Sequence, residues 1–278
     1  MYQTIVSTQT LATQINDPDW VIFDCRFELS KPQEGKRLYE KEHICLARYA
    51  SLDDDLSSKP TASSGRHPLP HPEEISHKLK RWGVSQSSQV VIYDQSTGSL
   101  AARMWWLLRW LGHSAVAVLD GGLNKWISEG LPTDNVIPEP VEGDFKGSPD
   151  DSMWVPTDYV ESLCDDPSAA IIDARSRERF SGEQEPVDSI GGHIQGAINH
   201  PLTDNLDEQG CFLSPGQLRS QLEPLQKTQT IHSCGSGVTA CHNILAMEIA
   251  GLSGSKLYVG SWSEWICSPQ RPIVAGGN

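Results

Sequence analysis

QTIHSCGSGVTACHNILAME, residues 229–248, reads as a short strand over 229–233, a glycine-rich turn opening at Cys234, and a helix beginning near Thr239. The stretch QVVIYDQSTGSLAARMWWLL, residues 89–108, has the same order 140 residues earlier, with Asp94 in the place of Cys234. Working outward, three more pairs appear. WVIFDCR, ending at Arg26, matches AAIIDAR, ending at Arg175, and their aspartates Asp24 and Asp173 lie 149 apart. EHICLARY around His43 matches GGHIQGAIN around His193 at an offset of 150, and LDGGLNKW, ending at Trp126, matches YVGSWSEW, ending at Trp265, at 139. Four matches in one order and at nearly one spacing make the 278 residues two copies of a single unit, each of ordinary domain size.

Within each copy, short runs alternate with amphipathic stretches, and the runs of the first are rich in Val and Ile. The runs at 20–24, near 47–50, 90–94 and 115–120, and again at 169–173, 197–200, 229–233 and 256–259, are too short for buried helices and read as strands. Helical patterns lie between them. One is HPEEISHKLKRWGV, with Pro72 suited to a first turn and Gly83 to a stop; another is SLAARMWWLLRWLG, stopped by Gly112. Such alternation predicts an α/β fold, each half a central, mainly parallel sheet covered by helices on both faces. The expected division is 1–131, a proline-rich acidic linker over 132–155, and 156–278.

Composition narrows the function. Thirty-six acidic against 22 basic residues give a net charge of −14, which argues against nucleic acid and against an anionic membrane surface as partners. No 18-residue apolar run suggests a membrane span, and the N-terminus has neither the basic nor the apolar region of a signal peptide. Seven cysteines without a CxxC pair predict neither a disulfide framework nor a metal site, and point to a reducing, cytoplasmic compartment. His232, Cys234, Cys241 and His242 do not make a convincing zinc set, because Cys241 and His242 fall on the predicted helix, away from Cys234.

In an open parallel sheet, ligands gather at the carboxyl ends of strands, and Cys234 sits at such an end. The amides of Gly235, Ser236, Gly237, Val238 and Thr239 are able to turn inward there, the glycines permit the torsions, and the following helix adds partial positive charge. All three effects stabilise a thiolate, so Cys234 is expected to be a nucleophile. A phosphatase loop of the CxxxxxR type loses its anion clamp here, because the sixth residue after Cys234 is Ala240 and no arginine follows until Arg271.

The duplicated D-x-R strand, the GHI-x-GA element over 192–197, the cysteine loop and the final GSW-x-EW together resemble the rhodanese-like sulfurtransferase family across residues 5–130 and 155–270. The loop CGSGVT is similar to that of the family's 3-mercaptopyruvate branch, whereas thiosulfate enzymes typically carry two cationic side chains in that loop. The resemblance implies two rhodanese-like domains, the first catalytically degenerate because Asp94 replaces the cysteine. It implies a double displacement without a cofactor: Cys234 takes sulfur from a small anionic donor, holds it as a persulfide, and passes it to a thiol, thioredoxin or cyanide. The donor implied is 3-mercaptopyruvate, with thiosulfate as the alternative, and a non-catalytic sulfur-carrier or sensor module as a further alternative.

The resemblance also implies supporting residues. Ser236 would be linked to His67 and to Asp53, with Asp54 or Asp55 as substitutes for Asp53. Arg179 matches the family's substrate arginine, with Arg175 and Arg177 close by. From its place in the loop YVGSWSEW, and apart from the resemblance, Trp262 is expected, with Ser261, to wall the pocket. One departure stands out: Val187 in GEQEPVDSIGGHI occupies the place of a second arginine. Arg66, beside His67, is the candidate to replace it.

Overall fold

The computed structural model describes residues 1–276, which form two compact units. The first contains Met1–Ser58, Leu69–Asp150 and Asp207–Phe212; the second contains Lys59–Pro68, Asp151–Leu206 and the chain from Leu213 onward. In the first, the strands are β1 (Ile5–Val6), β2 (Trp20–Asp24), β3 (His43–Ile44), β4 (Arg48–Tyr49), β5 (Gln89–Tyr93), β6 (Val116–Leu119) and β7 (Thr133–Asp134). Five of them make a sheet in the order β1-β6-β5-β2-β4, parallel at every pairing, while β3 and β7 form an antiparallel ribbon.

The second unit has β8 (Trp154–Val155), β9 (Ala169–Asp173), β10 (His193–Ile194), β11 (Ala197–Asn199), β12 (Gln229–Ser233), β13 (Lys256–Tyr258) and β14 (Ile273–Val274). Its sheet runs β8-β13-β12-β9-β11, again parallel throughout, and β10 pairs with β14 antiparallel. This is the first unit's topology strand for strand. The two-residue edge strands β1 and β8 are additions to the four runs per copy that the sequence displays, since two residues carry no periodicity.

The central strands of both sheets are buried on both faces, which explains why most of them are continuous apolar runs; β12, QTIHS, is the polar exception. All five residues of β5 are buried, as are the last four of β2, β9 and β12. The helix Ala101–Trp110, apolar nearly all round, is buried except at Arg109, in keeping with the rule that such helices belong to cores. Pro215–Leu222 starts with a capping box between Ser214 and Gln217 and a proline in its first turn.

The repeated D-x-R is a structural latch. Arg26 Nε donates to both Asp24 oxygens at 3.1 and 2.9 Å, and its Nη2 donates to the Glu42 carbonyl at 2.6 Å. Arg175 does the same with Asp173, at 3.1 and 3.0 Å, and with the Gly192 carbonyl at 2.7 Å. Each latch clamps the residue before a buried histidine, His43 or His193, which stacks on Tyr39 or Phe180. Burial opposes the charge on Arg175, but Asp173, reinforced by Glu185 and Cys234, outweighs it and holds the guanidinium protonated.

The proline-rich segment is not a free tether. Residues 132–150 belong to the first unit, where Thr133–Asp134 is β7 and Phe145 is buried. Backbone bonds from Gly143 to Lys80, Phe145 to Val84, Ser148 to Leu111 and Asp150 to Trp110 hold it along that unit. Proline removes donors, yet the non-proline residues between these prolines supply enough amides to dock the segment. Among the described residues, no helix is long and apolar enough to cross a membrane.

Candidate active site

Cys234 follows directly on β12, at its carboxyl end, and is 1% exposed. A second turn brackets its loop. The Trp262 amide donates to the Cys234 carbonyl at 3.0 Å and the Ser263 amide to the Gly235 carbonyl at 2.9 Å. The Cys234 amide donates to Ser261 Oγ at 3.1 Å, and that hydroxyl donates to the Tyr258 carbonyl at 2.8 Å. Ser261 holds this place in the left-handed region, at φ 50°, a conformation uncommon outside glycine and tolerated here because its hydroxyl is bonded on both sides.

Close approach requires glycine at one position of the loop and shows what faces another. A Cβ at Gly237, whose φ is 72°, would collide with the Val259 carbonyl oxygen. A Cβ at Gly235 would lie 2.9 Å from Arg66 Nη2 and 3.5 Å from both Arg179 Nη1 and Nη2. Two guanidinium groups therefore converge on the residue next to Cys234. Val238 is buried, and Thr239 leads into the helix Ala240–Ile249.

The segment Lys59–Pro68, which the sequence division assigns to the N-terminal half, packs in the second unit. The Arg66 amide donates to Ser263 Oγ at 3.1 Å, and His67 Nδ1 lies 2.8 Å from Ser236 Oγ with both side chains buried. Asp53 is exposed in the turn over 51–55 and belongs to the first unit, as do Asp54 and Asp55. Asp55 is engaged locally, accepting from Lys78 Nζ at 2.7 Å and the Ser51 amide at 2.9 Å.

The three neighbouring arginines separate by environment. Arg175 is the buried latch, and Arg177 is solvent-facing against Asp204 at 2.6 Å. Arg179, with 22% side-chain exposure, is the one at the loop. Its Nε donates to both Glu185 oxygens at 3.1 Å, and its Nη2 to Glu185 Oε1 at 2.9 Å and Asp188 Oδ2 at 3.0 Å. The other Asp188 oxygen pairs with Arg66 Nη1. Burial works against ionisation of Glu185, but Arg179 and the amides of Asp188 and Val187 outweigh it and hold the carboxyl below its usual range. Glu185 and Asp188 thus balance the charge of the two arginines at the loop, although spacing along the chain gives no sign of it. The only hint in the sequence is their place in the same EPVD segment that lacks the second arginine.

Trp262, expected to wall the site, is 1% exposed. Its indole donates to the Ile190 carbonyl at 2.8 Å, and its ring lies 4.8 Å from the Arg175 guanidinium. It braces the loop from behind, as a buried aromatic with one polar atom satisfied. Cys241 is also fully buried, its thiol 3.5 Å from the Gly237 carbonyl.

The first unit shows what such a loop does when its leading residue carries a negative charge. Asp94 accepts four amide hydrogen bonds, from Ser96 at 3.1 Å, Gly98 at 2.9 Å, Leu100 at 2.8 Å and Ala101 at 3.2 Å. The loop is an anion cradle, closed in this copy on an internal carboxylate.

Residues 7–129 and 156–267 each match the model of the rhodanese-like domain. The chain is 44% identical over 278 residues, 98% of both sequences, to a probable 3-mercaptopyruvate sulfurtransferase of Pseudomonas aeruginosa. It is 35% identical over 279 residues, 99% of this chain and 98% of the other, to a putative thiosulfate sulfurtransferase, SseB, of Mycobacterium tuberculosis. A crystal structure of SseA from Escherichia coli, described as having the rhodanese fold of 3-mercaptopyruvate sulfotransferases, superposes with a TM-score of 0.81. It is 32% identical, with 95% of this chain and all of that one covered.

Proposed function

Because the chain belongs to the rhodanese-like family, carrying the domain in both halves, we propose that it is a sulfurtransferase that moves sulfur from 3-mercaptopyruvate through Cys234 to a thiol, thioredoxin or cyanide acceptor. The observation that carries the proposal is the pair of equivalent loops. One closes four amides on the Asp94 carboxylate, and the other opens on a cysteine at the same place, next to two guanidinium groups.

The steps follow from ordinary sulfur chemistry. The Cys234 thiolate attacks the donor's sulfur; a sulfur–sulfur bond forms, the donor's carbon–sulfur bond breaks, and the electron pair left on carbon is protonated to give pyruvate. An acceptor thiolate or cyanide then takes the outer sulfur, and the sulfur–sulfur electrons return to Cys234. We assign Arg179 to the donor's carboxylate by a charge-assisted pair, and Arg66 to the second cation that Val187 does not supply. Gly235, Gly237, Val238 and Thr239 present the loop amides. Ser236 and His67 form the proton relay, supported by their 2.8 Å contact, and Asp53 enters it on family resemblance alone. The N-terminal domain is the degenerate copy, and the seven free cysteines fit a cytoplasmic setting.

Val187 favours a second reading in which thiosulfate is the donor and sulfite the leaving group, since one carboxylate clamp of the mercaptopyruvate pattern is missing. Steady-state turnover with each donor separates the two. A higher kcat/KM for 3-mercaptopyruvate is expected; a higher value for thiosulfate overturns the donor assignment.

A further inference from the structure

A protein of net charge −14 that binds an anionic donor needs a local excess of positive charge, and the site does not have one. Around the loop, the guanidinium groups of Arg66, Arg175 and Arg179 face the carboxylates of Asp173, Glu185 and Asp188. Asp173 is consumed by the latch on Arg175, and Glu185 is tied into its own turn by the amides of Val187 and Asp188 at 3.0 Å. Asp188 differs from both. It is 3% exposed, and its two oxygens are divided between the two cations nearest Gly235, one on Arg66 and one on Arg179. Those cations are 27% and 22% exposed, so they are open to solvent on the side that Asp188 does not occupy. Arg66 Nε is moreover a buried donor without a hydrogen-bond partner, so this guanidinium is not fully satisfied by Asp188.

We propose that Asp188 is a specificity-determining residue: bridging Arg66 and Arg179, it cancels part of their field and so favours singly charged carboxylate donors over doubly charged oxyanions. The inference deepens the sulfurtransferase reading and rests on it for the identity of the donors. The physical ground is that a fixed negative charge repels a dianion with twice the energy with which it repels a monoanion at the same place. Whatever factor Asp188 costs a monoanion is therefore squared for a dianion. Its carboxylate is replaceable without loss of shape, since asparagine has the same outline and still accepts one hydrogen bond.

Binding of pyruvate, a monoanion, and thiosulfate, a dianion, is measured by calorimetry to Cys234→Ser with and without Asp188→Asn. The Cys234→Ser background cannot transfer sulfur, so the result does not depend on turnover; failure of the sulfurtransferase reading is seen separately, as wild type that takes sulfur from no donor. Asp188→Asn is expected to tighten pyruvate about threefold and thiosulfate about tenfold, with both gains shrinking as salt is raised. Asp188→Glu, which restores the charge, is expected to leave both affinities near those of the parent. Equal changes for the two anions, weaker binding of both, unchanged affinities, or no binding in any variant each overturn the proposal. Because the readout is a ratio of two anions in one sample, partial loss of folded protein cancels from it.

Discussion

Replacing Arg179 by methionine is expected to raise the KM for 3-mercaptopyruvate about a hundredfold, with kcat reduced far less, because a charge-assisted pair of about 3 kcal/mol disappears from substrate binding. Methionine keeps much of the aliphatic volume, so packing is little disturbed. The same change leaves Glu185 and Asp188, with 6% and 3% side-chain exposure, short of one partner each. Arg175 remains 3.5 Å from Glu185, and Arg66 remains on Asp188, so the stability loss is expected to be about 2 kcal/mol rather than the larger cost of a fully orphaned buried charge. Steady-state kinetics and urea denaturation read the two effects independently. An unchanged KM would mean that the donor's anion is held elsewhere, with Arg179 serving only to neutralise the two acids.

The second large effect belongs to the degenerate copy. Asp94→Ala removes the acceptor of four amides in a side chain that is 2% exposed. The amides of Gly98 and Ala101, in buried bonds, each cost about 1 kcal/mol or more when left without an acceptor, and those of Ser96 and Leu100, in part-buried bonds, cost less, so the unit is expected to lose about 3 kcal/mol of unfolding free energy, read as a lower denaturation midpoint. Asp94→Asn, which still accepts at one oxygen, is expected to cost about half as much. If both variants denature like wild type, the loop is not an anion cradle, and the parallel drawn with the Cys234 loop loses its support.

The fold was legible because it is written twice. The D-x-R strands, the histidine elements and the two loop-to-helix stretches align at nearly constant spacing, and β2 with β9 and β5 with β12 reproduce the offsets of 149 and 140 in three dimensions. The nucleophile loop was legible for a related reason, since strand, cysteine, glycines and helix are contiguous. What the sequence conceals is whatever depends on contacts between distant segments. Residues 59–68 look like part of the first half, and bonds between distant residues, from Arg66 to Ser263 and Asp188 and from His67 to Ser236, draw them into the second. Glu185 and Asp188 read as two more acids in an acidic chain, because nothing local shows that their carboxylates meet Arg179 and Arg66. Trp262 has the residue type of a pocket wall, yet its bond to the Ile190 carbonyl and the Arg175 guanidinium on its ring turn it inward. Arg175 and Arg179, four residues apart, take opposite roles in three dimensions, one buried and locked to Asp173, the other facing Gly235.

The claim on which all of this depends is that Cys234 carries the sulfur in transit. Wild type and Cys234→Ser, each incubated with 3-mercaptopyruvate and no acceptor, then weighed intact by mass spectrometry, test it directly. The expected result is wild type heavier by one sulfur atom, a gain removed by adding a thiol acceptor and missing from Cys234→Ser. Sulfur retained by Cys234→Ser, on any of the six other cysteines, or no gain by wild type with either 3-mercaptopyruvate or thiosulfate, would contradict it.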